Sequence, residues 1–63
     1  MITVIFYNPQ QQQLRLRFEG GEVYDYYLVH AEEARHAEVA LAAHDQNFFR
    51  KSIKGVYPSR RVA

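Results

Sequence analysis

The sequence predicts an α+β domain, a three-stranded antiparallel β-meander followed by two helices packed on one face. Three observations carry this. Leu14-Arg15-Leu16-Arg17-Phe18 alternates apolar and charged residues with the period of two that marks a half-buried strand. Gly20-Gly21 separates it from a second β-prone run that holds three of the five tyrosines. From Ala31 onward alanine and glutamate dominate, and the apolar spacing becomes that of a helix.

Residues 2–7 are rich in β-branched and aromatic side chains and form the first expected strand. Asn8-Pro9 ends it, because proline gives no N–H to a ladder and disfavours helix at the residue before it. Glutamines 10–13 read as a hairpin tip, and residues 13–18 as the second strand. The third covers residues 23–28. Its register decides what the tyrosines do. A two-residue Gly20-Gly21 loop pairs Arg17 with Tyr24 and Arg15 with Tyr26, which makes a cationic, aromatic outer face. A three-residue loop, Glu19-Gly20-Gly21, with a bulge pairs Leu16 with Tyr24 and Leu14 with Tyr26. Tyr24, Tyr26 and Leu28 then join Leu14, Leu16 and Phe18, and Asp25 lies outside near the arginines. A one-residue slip exchanges these outcomes. The bulged register is favoured, since the other buries Asp25 beside Leu16.

Residues 31–43 predict the first helix. Glu32 and Glu33 complement its N-terminal dipole, and Ala34, Ala37 and Leu41 share a face. His30 is a poor N-cap by residue type. Asp45 is a good one for a second helix over 46–54, anchored by Phe48, Phe49 and Ile53 and ended by Gly55. Residues 56–63 are expected to be an extended tail, with Val62 able to tuck back onto the sheet.

Sixty-three residues make one small domain with a thin stability margin. With no cysteine there is no disulfide and no thiolate metal site, which suits a reducing cytoplasm. No apolar run approaches the ~20 residues that span a bilayer, and the start lacks a signal-peptide pattern. The expected setting is therefore cytoplasmic, without a membrane partner. So small an uncrosslinked domain invites self-association, and strand 2–7 could pair with another chain.

Nothing in the pattern supports catalysis. His30, His36 and His44 lack the four-residue spacing of a helical zinc pair, and the paired glycines join two strands rather than a strand and a phosphate-binding helix. No enzyme activity, cofactor or metal is expected. Charge is the remaining signal. Residues 1–45 hold three arginines against seven carboxylates, whereas residues 46–63 hold five cations and no acid. Arg50, Lys51, Lys54, Arg60 and Arg61 are candidate phosphate contacts, with Tyr57 among them as a stacking ring. The plainer reading has the cations solvated and Tyr57 capping the core. Arg15 and Arg17 extend the footprint only if the outer sheet face lies beside the basic tail. The expected partner is RNA, either tRNA or single-stranded. The alternative is a protein-interaction or homodimerisation module with no nucleic-acid role.

Tyr7-Asn8, the run 14–18, Gly21, Val23-Tyr24-Asp25-Tyr26, Val29, Asn47-Phe48-Phe49, Ile53-Lys54 and Tyr57 together resemble the KTSC domain. That short bacterial domain occurs alone and at the C-terminus of some lysyl-tRNA synthetases. Tyr24-Asp25-Tyr26 matches its central Y-x-Y motif, and the resemblance spans roughly residues 5–62. Two positions depart: His30 stands where the family usually has proline, and His44-Asp45-Gln46 where it favours Ser-x-Gly. The resemblance implies an RNA-linked role through the synthetase fusions. The register argument makes Tyr24 and Tyr26 markers of the fold.

Overall fold

A computed structural model describes residues 1–63 and contains, in order, β1 (Thr3–Asn8), β2 (Gln13–Arg17), β3 (Val23–Tyr26), α1 (Ala31–Ala42), α2 (Gln46–Ser52) and β4 (Ser59–Arg61). The strands form one antiparallel sheet in the order β1-β2-β3-β4. The expected three-stranded meander is therefore corrected to a four-stranded sheet. Ser59-Arg60-Arg61 has no apolar alternation, so nothing in its side chains announces a strand. Its pairing is a backbone matter: β3 would otherwise leave a row of N–H and C=O groups unpaired. The pairing continues past the strand ends, with Tyr27 N–H on Pro58 C=O at 2.9 Å and Val62 N–H on Val23 C=O at 2.8 Å.

The β2–β3 hairpin adopts the bulged register, with Leu14 opposite Tyr26 and Leu16 opposite Tyr24. Gly21 N–H reaches Phe18 C=O at 2.9 Å, and Phe18 N–H reaches Glu22 C=O at 2.8 Å. Gly21 sits at φ +91°, which makes the loop a three-residue turn closed by a glycine bulge. The two glycines are not equivalent. Gly21→Ala is expected to cost about 1–2 kcal/mol, because a Cβ clashes with the backbone in the left-handed region. At Gly20 a Cβ would meet only the carboxylate end of the Glu22 side chain, which can swing away. Gly20→Ala is therefore expected to melt near the parent, and chemical denaturation of the two variants side by side checks the contrast.

Strand β1 needs a bulge of its own. Val4 opposes Leu16 and Tyr7 opposes Leu14, so both face the core although they are three residues apart. The register shift between Val4 and Phe6 reconciles this spacing with the two-residue strand period. It turns Phe6 outward, opposite Arg15.

Two further expectations are corrected. Leu28 does not join the core: β3 stops at Tyr26, and Leu28 takes φ +63° and is 62% exposed. The chain must leave the sheet to start α1, and Val29 fills the core instead. Its N–H donates to Gln12 C=O at 2.8 Å and its C=O accepts from the Tyr7 hydroxyl, so the β1–β2 hairpin clamps the junction. Asp25 lies on the arginine side, yet it is buried rather than outside, because Arg15 and Gln13 fold over it.

The helices cover one face of the sheet. Ala34, Ala37 and Leu41 of α1 and Phe49 of α2 join Leu14, Leu16 and Tyr26 in one core, and the small alanines let α1 lie close to the strands. His30 gives α1 no side-chain cap. The Asp45 carboxylate caps α2, accepting from Phe48 N–H at 3.2 Å. Gly55, at φ +77°, helps turn the chain back toward β4.

Candidate nucleic-acid interface

The sheet face opposite the helices carries the most organised polar cluster. Alternation along β2 puts Gln13, Arg15 and Arg17 there, β3 adds Asp25, and β4 adds Arg60, which pairs with Asp25 in register. Arg15 Nε donates to Asp25 Oδ1 at 2.6 Å and Arg15 Nη2 to Oδ2 at 3.0 Å. This is a two-pronged ion pair, the geometry in which arginine binds a carboxylate most firmly. Gln13 Nε2 donates to Oδ2 at 2.7 Å. The guanidinium also lies 5.2 Å from the centre of the Phe6 ring, within cation–π range. Asp25 is only 3% exposed. The Arg15 hydrogen bond holds its carboxyl below the usual carboxylate range, against the upward push of burial, with Gln13 and Arg60 adding to the effect. Arg15 is shifted up by the same contact.

The result is an arginine held between the Asp25 carboxylate and the Phe6 ring, with Phe6 42% exposed. The cluster has three cations and one carboxylate, and Arg17 and Arg60 are exposed. A fixed cationic, aromatic surface of this kind can contact phosphates and present a ring to a base.

The sequence-derived candidates do not form one cluster. Arg50 and Lys51 are exposed on α2, with Arg50 Nη2 at 3.5 Å from Asn47 Oδ1. Arg60 and Arg61 fall on opposite faces of β4, Arg60 against Asp25 and Arg61 against Tyr24. Arg61 Nε donates to Ala63 C=O at 3.0 Å. Lys54 borders a groove of about 320 Å³ lined also by Phe18, Tyr24, Tyr26, Phe49 and Ser59. Tyr57 is half-buried and packs against the core, and burial raises its hydroxyl pKa, with Glu33 contributing. Its position matches the plainer reading of that ring.

Tyr24 and Tyr26 turn to the helix side. Tyr26 is 5% exposed and Tyr24 half-buried, in edge-on contact with Phe49 at 6.1 Å and Phe18 at 5.4 Å respectively. Burial raises the Tyr26 hydroxyl pKa, helped by Tyr24. The middle residue of Tyr24-Asp25-Tyr26 serves the other face. Sequence reasoning left out Gln13, Asp25 and Phe6 as parts of a site. The alternation of 14–18 pointed to the arginine face, but Phe6 required the β1 bulge and Arg60 required β4.

No group of three or more His, Cys, Asp or Glu side chains is placed to hold a metal ion, and no helix is long and apolar enough to cross a membrane. Comparison with curated proteins gave no match. A family model described as the KTSC domain, a family of small non-catalytic domains, matches residues 1–57 and so takes in both hairpin strands around Gly21, the tyrosine pair and both helices. On that match across most of its 63 residues, the chain belongs to the KTSC domain family.

Proposed function

We propose that this domain binds single-stranded RNA across the open sheet face, without catalysis and in a reducing, cytoplasmic setting. The observation that carries the reading is the addition of β4, which sets Arg60 beside the Arg15–Asp25 pair on the face that also holds Arg17 and Phe6. This meets the condition under which the β2 arginines join the basic C-terminal segment. In this reading Arg15, Arg17 and Arg60 contact phosphates and Phe6 stacks a base. Lys54, near Ser59, and Arg61 on β4 add cations on the helix side of that strand, Arg50 and Lys51 on α2 add further ones, and Tyr57 supports the segment from the core. The synthetase fusions that the family resemblance implies support RNA over DNA. An open sheet face with an exposed ring favours a single strand, whose bases can splay onto it, over a duplex such as a tRNA stem.

Fluorescence anisotropy with a single-stranded RNA oligomer and with tRNA, over a salt series, tests this. Binding should weaken as salt rises, with a log–log slope of about −0.7 per phosphate contacted. Arg17→Ala and Arg60→Ala should each flatten that slope by about 0.7. Phe6→Ala should weaken binding by about 1–3 kcal/mol with the slope unchanged. No binding at low salt would sink the proposal.

A further inference from the structure

We infer that the β1 edge and the adjoining flank of α1 form a two-fold interface with a second copy of this chain. The two sheet edges are treated differently. β4 is three residues long and carries Arg60 and Arg61, the short, charged form that discourages edge pairing. β1 is six residues, Thr-Val-Ile-Phe-Tyr-Asn, with no charge, and its outer side pairs with no strand. Ile5 and Phe6 on it are 40% and 42% exposed.

Helix α1 runs antiparallel to β1. Ile2 and Val4 lie across one cleft from Leu41 and Ala42, while Val4 and Tyr7 lie across a second cleft from Ala31 and Ala34. Both clefts include Val4 and Glu38, so they form one continuous apolar trough along the edge. The exposed margin of α1 along this trough is Ala31, Arg35, Glu38 and Ala42. Their spacing of four, three and four is a single helix ridge, and its order is self-complementary. When a second copy is turned about a two-fold axis beside the middle of α1, Ala31 meets the partner's Ala42 and Arg35 meets the partner's Glu38, and the reverse. Small residues close the ends and opposite charges meet at the centre, as an isologous contact requires. Neither Arg35 nor Glu38 is in an ion pair within the chain, where the only two are Met1–Glu19 and Arg15–Asp25.

The centre of the ridge lies alongside the stretch between Val4 and Tyr7, so one axis serves helix and strand together. β1 then pairs antiparallel with its copy, the sheet runs through eight strands, and Val39, 67% exposed next to Glu38, gains a neighbour. Charge complementarity selects a second copy over an unrelated strand, because the ridge matches itself. Phe6 is the one residue shared with the RNA reading; the charged ridge of α1 that is tested lies off the arginine face and the basic segment, so the two readings can fail separately.

Sedimentation equilibrium of the full chain tests it. The parent should sediment at twice 7.4 kDa. Arg35→Glu and Glu38→Arg each set like charges against each other at two symmetric contacts, and each should weaken the dimer roughly tenfold or more. The double variant R35E/E38R restores opposite charges and should restore the dimer. All four positions of the ridge are exposed, and unchanged circular dichroism would show that the variants fold. A 7.4 kDa monomer at every concentration would overturn the inference, even if that monomer took up an extended peptide along β1. So would a dimer indifferent to both single reversals.

Discussion

Phe49→Ala is expected to lower stability by about 3–5 kcal/mol, the cost of removing a buried aromatic ring that its surroundings cannot collapse to fill. Phe49 is 7% exposed and joins α2 to the sheet. Its ring meets Phe18 at 5.2 Å and Tyr26 at 6.1 Å, both edge-on, the arrangement that aromatic quadrupoles favour. At roughly 0.05–0.15 kcal/mol per residue, a 63-residue domain has about 3–9 kcal/mol in total. The variant should therefore be largely unfolded at moderate temperature, with α2 and the tyrosine pair losing their common contact. Urea denaturation followed by circular dichroism checks this, and Phe49→Leu, which keeps most of the volume, should recover much of the loss. Tyr26→Phe is the control. The Tyr26 hydroxyl makes no hydrogen bond within the chain and is not a buried unsatisfied atom, so its removal should change stability by less than ~0.5 kcal/mol. A Phe49→Ala midpoint equal to the parent's would refute the view that the Y-x-Y rings act through the core.

Asp25→Ala is expected to cost about 2–4 kcal/mol, since it removes a buried acceptor of three charge-assisted or polar hydrogen bonds. The same residue predicts a pH dependence with a definite sign. Its carboxyl is held below the ordinary value of about 3.9 in the folded chain. Between that value and the lower folded one, the unfolded chain binds more protons, so stability rises with pH. The contribution is complete above about pH 4–5 and is lost as pH falls through the folded value. Asp25→Asn should be less stable than the parent at neutral pH and should lose less stability on acidification. Glu19 is also held low, by the N-terminal ammonium, but both groups are exposed and salt should mute their share. A series of denaturant midpoints through the acid range, at low and high salt, separates the two. An acid profile in Asp25→Asn as steep as the parent's would disprove the assignment to this ion pair.

How much was legible in the chain follows from where the information lay. The alternation of residues 14–18 and the glycine pair pointed to the β2–β3 hairpin and favoured its bulged register, since a single slip would put Asp25 into the core and the tyrosines outside, and the strand pairing has that register. The family resemblance and the position of Asp45 as a cap were readable for the same reason, each being local in sequence.

Tertiary structure decided the rest. β4 exists because β3 has backbone groups to pair, a demand invisible in Ser59-Arg60-Arg61 itself. Leu28 yields its place to Val29 because the chain must turn there. The β1 bulge sends Tyr7 in and Phe6 out to match two positions on β2. The arginine face depends on two of these, the β4 pairing and the β1 bulge, and its members come from β1, β2, β3 and β4. Sequence periodicity reports which side of its own element a residue occupies, whereas backbone pairing between distant segments decides which sides become one surface.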